Sequence, residues 1–339
     1  MAHIIAAPNE YMVPFPSHVS ISKIQFCKVA GSRLMVASGW DGTVRIFNIG
    51  GIGQADERRF YYHGKPVLCC TFADNTRVVS GGLDQIVKVV DLESGKEQNI
   101  GIHSQGIRCM EYDSLGGLIV SGSWDGTVKL WDARDSIPCV RHTQTLSEKV
   151  YAMDVLGNKV IVGTKDRKVY LFDTRKMDTP EQVRESPLKY QTRALAFFPS
   201  GDAFVVSSIE GRVAVEYIDQ APEVQKKKYA FKCHRVKEED GTEFIYPVNA
   251  IAFHPVHGTF ATGGSDSMVN IWDPFNRKRL VQLHKFNTSI TSLSFNSDGS
   301  QLAIASSYAY EHEATPSPLP DNLITIRQIS DCESRPKTM

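Results

Sequence analysis

The segment Ser121–Asp132 reads SGSWDGTVKLWD. A β-prone run stops at Asp125-Gly126, and Thr127–Trp131 then alternates outward and inward residues before ending at Asp132. Asp-Gly between two such runs is a strong short-range hairpin signal. The rest of the chain repeats it, as ASGWDGTVRIFN (Ala37–Asn48), SGGLDQIVKVVD (Ser80–Asp91), VGTKDRKVYLFD (Val162–Asp173), SSIEGRVAVEYI (Ser207–Ile218) and TGGSDSMVNIWD (Thr262–Asp273).

The acidic residue of each turn serves as a ruler: Asp41, Asp84, Asp125, Asp166, Glu210 and Asp266 are spaced by 43, 41, 41, 44 and 56 residues. A period of about 40 to 45 residues closing on Trp-Asp is the signature of WD repeats, with four strands to each propeller blade. The 56-residue step predicts one insertion. An alternating strand precedes each hairpin, at Ile21–Phe26, Val67–Phe72, Ile107–Tyr112, Val150–Val155, Arg193–Phe198, Val248–Phe253 and Ile290–Phe295. The fold expected is therefore all-β, a seven-bladed WD-repeat β-propeller. Its seventh repeat is degenerate, with LAIASS (Leu302–Ser307) and LITIRQI (Leu323–Ile329) separated by a long polar, proline-rich turn.

His63, His103, His234 and His284 each stand ahead of a first strand. They are read as braces that hydrogen-bond the turn acid, a structural duty for a buried polar group, in preference to catalysis or metal binding. The chain starts before the first strand of repeat one and ends soon after the third strand of repeat seven. Ile4–Phe15 is left to supply the missing strand and close the ring, which removes open sheet edges. A single propeller over residues 1–330 is expected, with residues 331–339 a short, polar, mobile tail.

Lys plus Arg and Asp plus Glu are 38 each, a balance that counts against a duplex nucleic-acid binder. The seven cysteines are scattered without a Cys-x-x-Cys pair, which fits buried thiols in a reducing compartment. The N-terminal MAHIIAAPNEYMVPFP lacks the apolar run of a signal peptide, and no stretch is apolar enough to span a membrane. A soluble protein of cytosol or nucleus is expected. No Walker-type phosphate loop, G-x-S-x-G or H-E-x-x-H occurs, so the residues ask for no enzyme, cofactor or metal.

Function then has to be read from the surface. Trp40 and Trp124 both precede the turn aspartate, where a small polar residue is commoner. An exposed tryptophan pair suits a partner interface, with local packing as the other reading; Trp131 and Trp272 are read as packing between blades. Arg193, Arg212 and Lys232 fall in the fifth repeat and suit carboxylate or phosphate recognition, with a solvated charged edge as the other reading. Lys226–Lys228 is read as protection of the outer strand.

The segments LKYQTR, SSIEGRVAVEY, KKKYAFKCHR, YPVNAIAFHP and GGSDSMVNIWDPFNRKRL resemble, over nearly the whole chain, the spindle-assembly-checkpoint WD-repeat family named for "budding uninhibited by benzimidazoles three". The messenger-RNA export propeller is similar too, sharing SSIEGRVA, FKCHR and an AFHPVHGT-like segment; QKKKYAFKCHR and WDPFNRKRL favour the checkpoint family. The resemblance implies a non-enzymatic, monomeric adaptor, nuclear and at mitotic kinetochores with some in the cytoplasm. It implies that the top face binds the GLEBS segment of checkpoint kinases, its glutamates meeting Arg193 and Lys149 over an apolar ground of Trp40 and Trp124. It further implies that Arg212 and Lys232 hold the phosphothreonine of Met-Glu-Leu-Thr motifs in the outer-kinetochore scaffold. The alternatives are a nuclear-pore export adaptor and a ubiquitin-ligase substrate receptor. The N-terminus and EHEATPSPLPDN depart from the family pattern.

Overall fold

The computed structural model describes residues 7–132, 139–310 and 316–337. Its described strands make seven four-stranded antiparallel sheets and one two-stranded hairpin. The founding hairpin is the middle of the third blade, in which Leu118–Ser123 pairs with Thr127–Asp132 through Val120↔Leu130 and Ser121↔Lys129. Gly126 takes φ +78°, a left-handed conformation that a glycine adopts at little cost. Blades are glued by clusters that span neighbours. Trp131 of blade 3 packs on Val79, Val87, Val89 and Ile100 of blade 2. Gly101 is required there, because a Cβ would stand 2.0 Å from the Trp131 ring. Trp272 meets Phe231 of the preceding blade at 4.6 Å between ring centroids. Both tryptophans thus pack between blades, as expected.

Three of the four histidines brace their turns. Nδ1 of His63, His103 and His234 lies 2.7, 3.0 and 2.8 Å from Asp84, Asp125 and Asp266, and each Nε2 lies 2.8 Å from Ser80, Ser121 or Thr262. The indoles of Trp131 and Trp272 donate to the same Ser121 and Thr262 hydroxyls, so in these two blades the tryptophan, hydroxyl, histidine and aspartate form one chain of hydrogen bonds. Burial pushes the Asp125 carboxyl up. Hydrogen bonds from His103, Thr127 and the Ser104 N–H outweigh that and hold it far below the usual carboxylate range. His284 departs from the expectation: its Nε2 lies 2.7 Å from Glu10.

Glu10 sits in the strand Glu10–Met12, which pairs antiparallel with Leu323–Gln328 and closes the ring as blade seven's outer strand. Ile4, Ile5 and Ala6 of the expected closing segment lie outside the described residues. The Glu10 side chain is buried and receives Arg327 Nη1 at 2.6 Å as well as His284. Neutralising it in Glu10→Gln keeps the shape but replaces charge-assisted bonds by neutral ones, worth about 1 kcal/mol. Chemical denaturation of the two proteins checks this expectation.

One expectation is corrected. Over its described residues, 331–337, the tail is docked: Ser334 is buried and its carbonyl accepts from Thr259 at 2.6 Å, while the Lys337 carbonyl accepts from Asn276 at 2.8 Å. Hydrogen bonds to blade six hold it because its serine and backbone supply polar groups that the blade's edge needs. Lys226–Lys228 is exposed between a short helix, Pro222–Gln225, and the start of the outer strand Tyr229–Lys232. That helix and the hairpin Arg235–Lys237/Glu243–Ile245 account for the 56-residue step. Glu311–Thr315 of the seventh-repeat turn lies outside the described residues.

Candidate functional site

Because neighbouring strands run antiparallel, the starts of first and third strands share one face with the ends of second and fourth strands. Lys149 directly precedes the first strand Val150–Leu156, and Arg193 is second in Thr192–Phe197. Trp40 lies between Leu34–Gly39 and Thr43–Ile49, and Trp124 lies between Leu118–Ser123 and Thr127–Asp132. Arg212 opens the third strand Arg212–Tyr217, and Lys232 ends the fourth, Tyr229–Lys232. All six therefore lie on one face, the top.

Two concentric rings organise that face. Every first strand slips register at its second residue, a β-bulge that re-aims one side chain per blade. The seven bulged residues are Ser22, Leu68, Arg108, Tyr151, Arg193, Asn249 and Thr291, and all of them line a channel-mouth cavity of about 90 Å³. Further out, one turn residue per blade donates its N–H to the carbonyl just before the first strand, at 2.8 to 3.1 Å. These are Trp40, Leu83, Trp124, Lys165, Ile209, Ser265 and Ser307. Blades one to three thus place Trp40, Leu83 and Trp124 side by side at equivalent positions.

Trp40 is 51% exposed, a large apolar area left to solvent. Trp124 is half-buried, since its ring lies over Gly106, where an added Cβ would meet it at 3.1 Å. The two alternative readings of the pair therefore divide: packing claims part of Trp124, whereas Trp40 is open.

The cations do not form one cluster. Arg193 belongs to the inner ring, where Asn249 Oδ1 accepts from its Nη2 at 2.8 Å and its Nε at 3.2 Å. Asn249 is itself anchored by donating to Ser265 Oγ at 2.9 Å and the Ile290 carbonyl at 3.1 Å. Arg212 lies two strands further out, about 10 Å away by strand spacing. There it pairs in register with Lys232 across the strands, like charge facing like charge. Glu210 is 3.6 Å from the Arg212 Nε. Opposed like charges destabilise a strand pair by themselves, so this juxtaposition suits an anion. Lys149 is exposed on blade four, beside Glu148, which also meets Lys165 at 3.7 Å.

Sequence reading missed Asn249, which orients Arg193, and the channel-mouth residues Arg108 and Tyr151. The usable signal was the second position of each first strand, where polar or bulky residues interrupt the alternation.

Against this geometry, the WD domain, G-beta repeat family matches residues 56–91, 96–132 and 231–273. The chain is 61% identical over 337 residues to Mitotic checkpoint protein bub-3 of Caenorhabditis elegans, covering 99% of this chain and 98% of the relative. It belongs to the Bub3 mitotic-checkpoint family. Mitotic checkpoint protein BUB3.1 of Arabidopsis thaliana is 44% identical over 325 residues, 95% of this chain and 93% of the relative. The mRNA export factor GLE2 of Chaetomium thermophilum is similar at 36% over 308 residues, 89% of this chain and 85% of the relative. As in the Bub3 family, the role of this propeller is in the spindle checkpoint.

Proposed function

We propose that this Bub3-family propeller is a non-enzymatic adaptor whose top face holds two acidic segments and so carries checkpoint kinases to unattached kinetochores. A GLEBS segment of the kinase crosses the inner site, its glutamates meeting Arg193 and Lys149 and its apolar residues covering Trp40 and the exposed part of Trp124. Arg193 is suited to that part because Asn249 already fixes its guanidinium, so little rotamer entropy is lost on binding. The outer site, Arg212 with Lys232, receives the phosphothreonine of a Met-Glu-Leu-Thr motif in the kinetochore scaffold.

The observation that carries the reading is the in-register Arg212–Lys232 pair. Phosphorylation brings roughly −1.5 to −2 charge and three strong acceptor oxygens, which relieves the repulsion between these cations. A neutral threonine hydroxyl does not. Fluorescence anisotropy with phosphorylated and plain Met-Glu-Leu-Thr peptides tests this: about a hundredfold preference for the phosphopeptide is expected, and equal affinities would refute the outer site.

The similarity to GLE2 supports a second reading, a nuclear-pore adaptor in messenger-RNA export. It shares the inner site and makes no use of the outer one. A steady nuclear-rim signal through interphase, without kinetochore signal in mitosis, would favour it.

A further inference from the structure

The lower half of the central channel opens on the face opposite the proposed peptide sites and encloses a second cavity of about 340 Å³. Its walls are mixed, and Leu156, Phe197, Pro199, Phe253 and Pro255 supply much of the apolar part. Acceptors from three blades meet in it: Gln25 of blade one, Glu111 of blade three and Asp154 of blade four. Gln25 is 6% exposed and its Oε1 has no hydrogen-bond partner among the described residues. Its Nε2 donates to Glu111 Oε2 at 3.4 Å, so the orphaned oxygen is not corrected by turning the amide, which would set oxygen against carboxylate. A buried acceptor without a partner leaves its desolvation uncompensated.

The charged groups facing this cavity are Lys23, Lys28, Glu111 and Asp154, and they sum to zero. One of them reaches in from solvent. Lys28, its own side chain 66% exposed, meets the buried Glu111 at 3.5 Å, a long contact, and Glu111 first and then Asp154 hold its ammonium above the usual lysine range. Asp154 accepts from the N–H groups of Val155 at 2.9 Å and Phe197 at 2.7 Å, which fixes the carboxyl against the wall. Burial pushes that carboxyl up to about 6, against the lowering effect of Lys28. A closer cation would relieve this.

We infer that the lower channel cavity is a binding site for a lysine or arginine side chain of a partner protein, whose charged head displaces Lys28 and reaches Gln25 Oε1, Glu111 and Asp154. The apolar part of the wall holds the alkyl stem, as long cationic side chains prefer. Lys28 is then a built-in competitor, and removing it strengthens binding. A solvated surface pair makes the opposite prediction, no effect.

The test uses the whole chain and labelled pentapeptides Gly-Gly-X-Gly-Gly, with X arginine, lysine or norleucine, followed by fluorescence anisotropy. The arginine or lysine peptide is expected to bind saturably and the norleucine peptide is not; the ratio of the two cationic peptides tells guanidinium from ammonium. Lys28→Met is expected to tighten binding about threefold to tenfold, and Glu111→Gln or Asp154→Asn to weaken it about tenfold. Circular dichroism melting confirms that the variants fold, and Lys28→Met, at an exposed position, keeps the test decisive if a carboxylate variant does not. Failure of both cationic peptides to saturate wild type and Lys28→Met at millimolar concentration would overturn the site. So would equal binding of the norleucine peptide. Neither outcome bears on the top-face reading.

Discussion

Replacing Arg212 by alanine is expected to lower affinity for a phosphothreonine peptide by about 2 to 3 kcal/mol, roughly 30- to 150-fold, the worth of one or two charge-assisted hydrogen bonds. The plain peptide should lose little. Arg212 is half-buried at the start of its strand, so its guanidinium is already partly desolvated and directed by the neighbouring Glu210. Lys232 remains in the variant, yet it is exposed and presents a point charge in place of a planar fork. Arg212→Lys should therefore recover only part of the loss. Because the change also removes one member of a like-charged cross-strand pair, it should not destabilise the blade. A drop in melting temperature matching the affinity loss would mean that Arg212 serves the fold instead of the ligand.

The largest effect on stability is expected at Trp131. Its side chain is 1% exposed, fills the seam between blades two and three, and donates Nε1–H to Ser121 Oγ at 2.7 Å. Truncation to alanine opens a cavity and leaves Ser121 and His103 with a broken network, at about 4 kcal/mol. That is a large fraction of the 5 to 15 kcal/mol that holds a typical domain together. Trp272 performs the same bond to Thr262 at 2.9 Å but is half-buried, so Trp272→Ala should cost less. Urea denaturation of both variants checks the order, and a Trp131→Ala loss below about 1.5 kcal/mol would contradict the network's assigned weight.

The residues that were legible in the sequence are those whose partners recur at a fixed spacing. His103 and Asp125 are 22 apart, His63 and Asp84 are 21 apart, and the repeat itself announces both pairs. His284 was misread because it has the same local address, while its partner Glu10 lies 274 residues away across the ring closure. Closure also explains why a glutamate in an unremarkable N-terminal segment becomes buried: only the circular fold brings Arg327 to it. At the top face, Trp40 and Trp124 stood out because they break the pattern of their repeats, and Arg212 because it falls with Arg193 and Lys232 in the fifth. Asn249 did not, since an asparagine in a first strand says nothing until Arg193, 56 residues earlier, is seen to bond it. The cavity in the lower channel was equally invisible, as its acceptors come from blades one, three and four. The tail misled for a different reason: polar composition signals mobility only where the fold has no orphaned groups to satisfy, and Thr259 and Asn276 of blade six donate to the tail's carbonyls.

The proposed adaptor role requires two segments to be held together, and Arg193 with Asn249 in the inner ring is separate from Arg212 with Lys232 on the outer strands. The most direct measurement is the affinity of the phosphorylated Met-Glu-Leu-Thr peptide for the propeller, alone and saturated with a GLEBS segment, by anisotropy of the labelled phosphopeptide. The two dissociation constants are expected to agree within about threefold, with both peptides bound at once. Displacement of the phosphopeptide by the GLEBS segment, with affinity falling in proportion to the competitor, would contradict it.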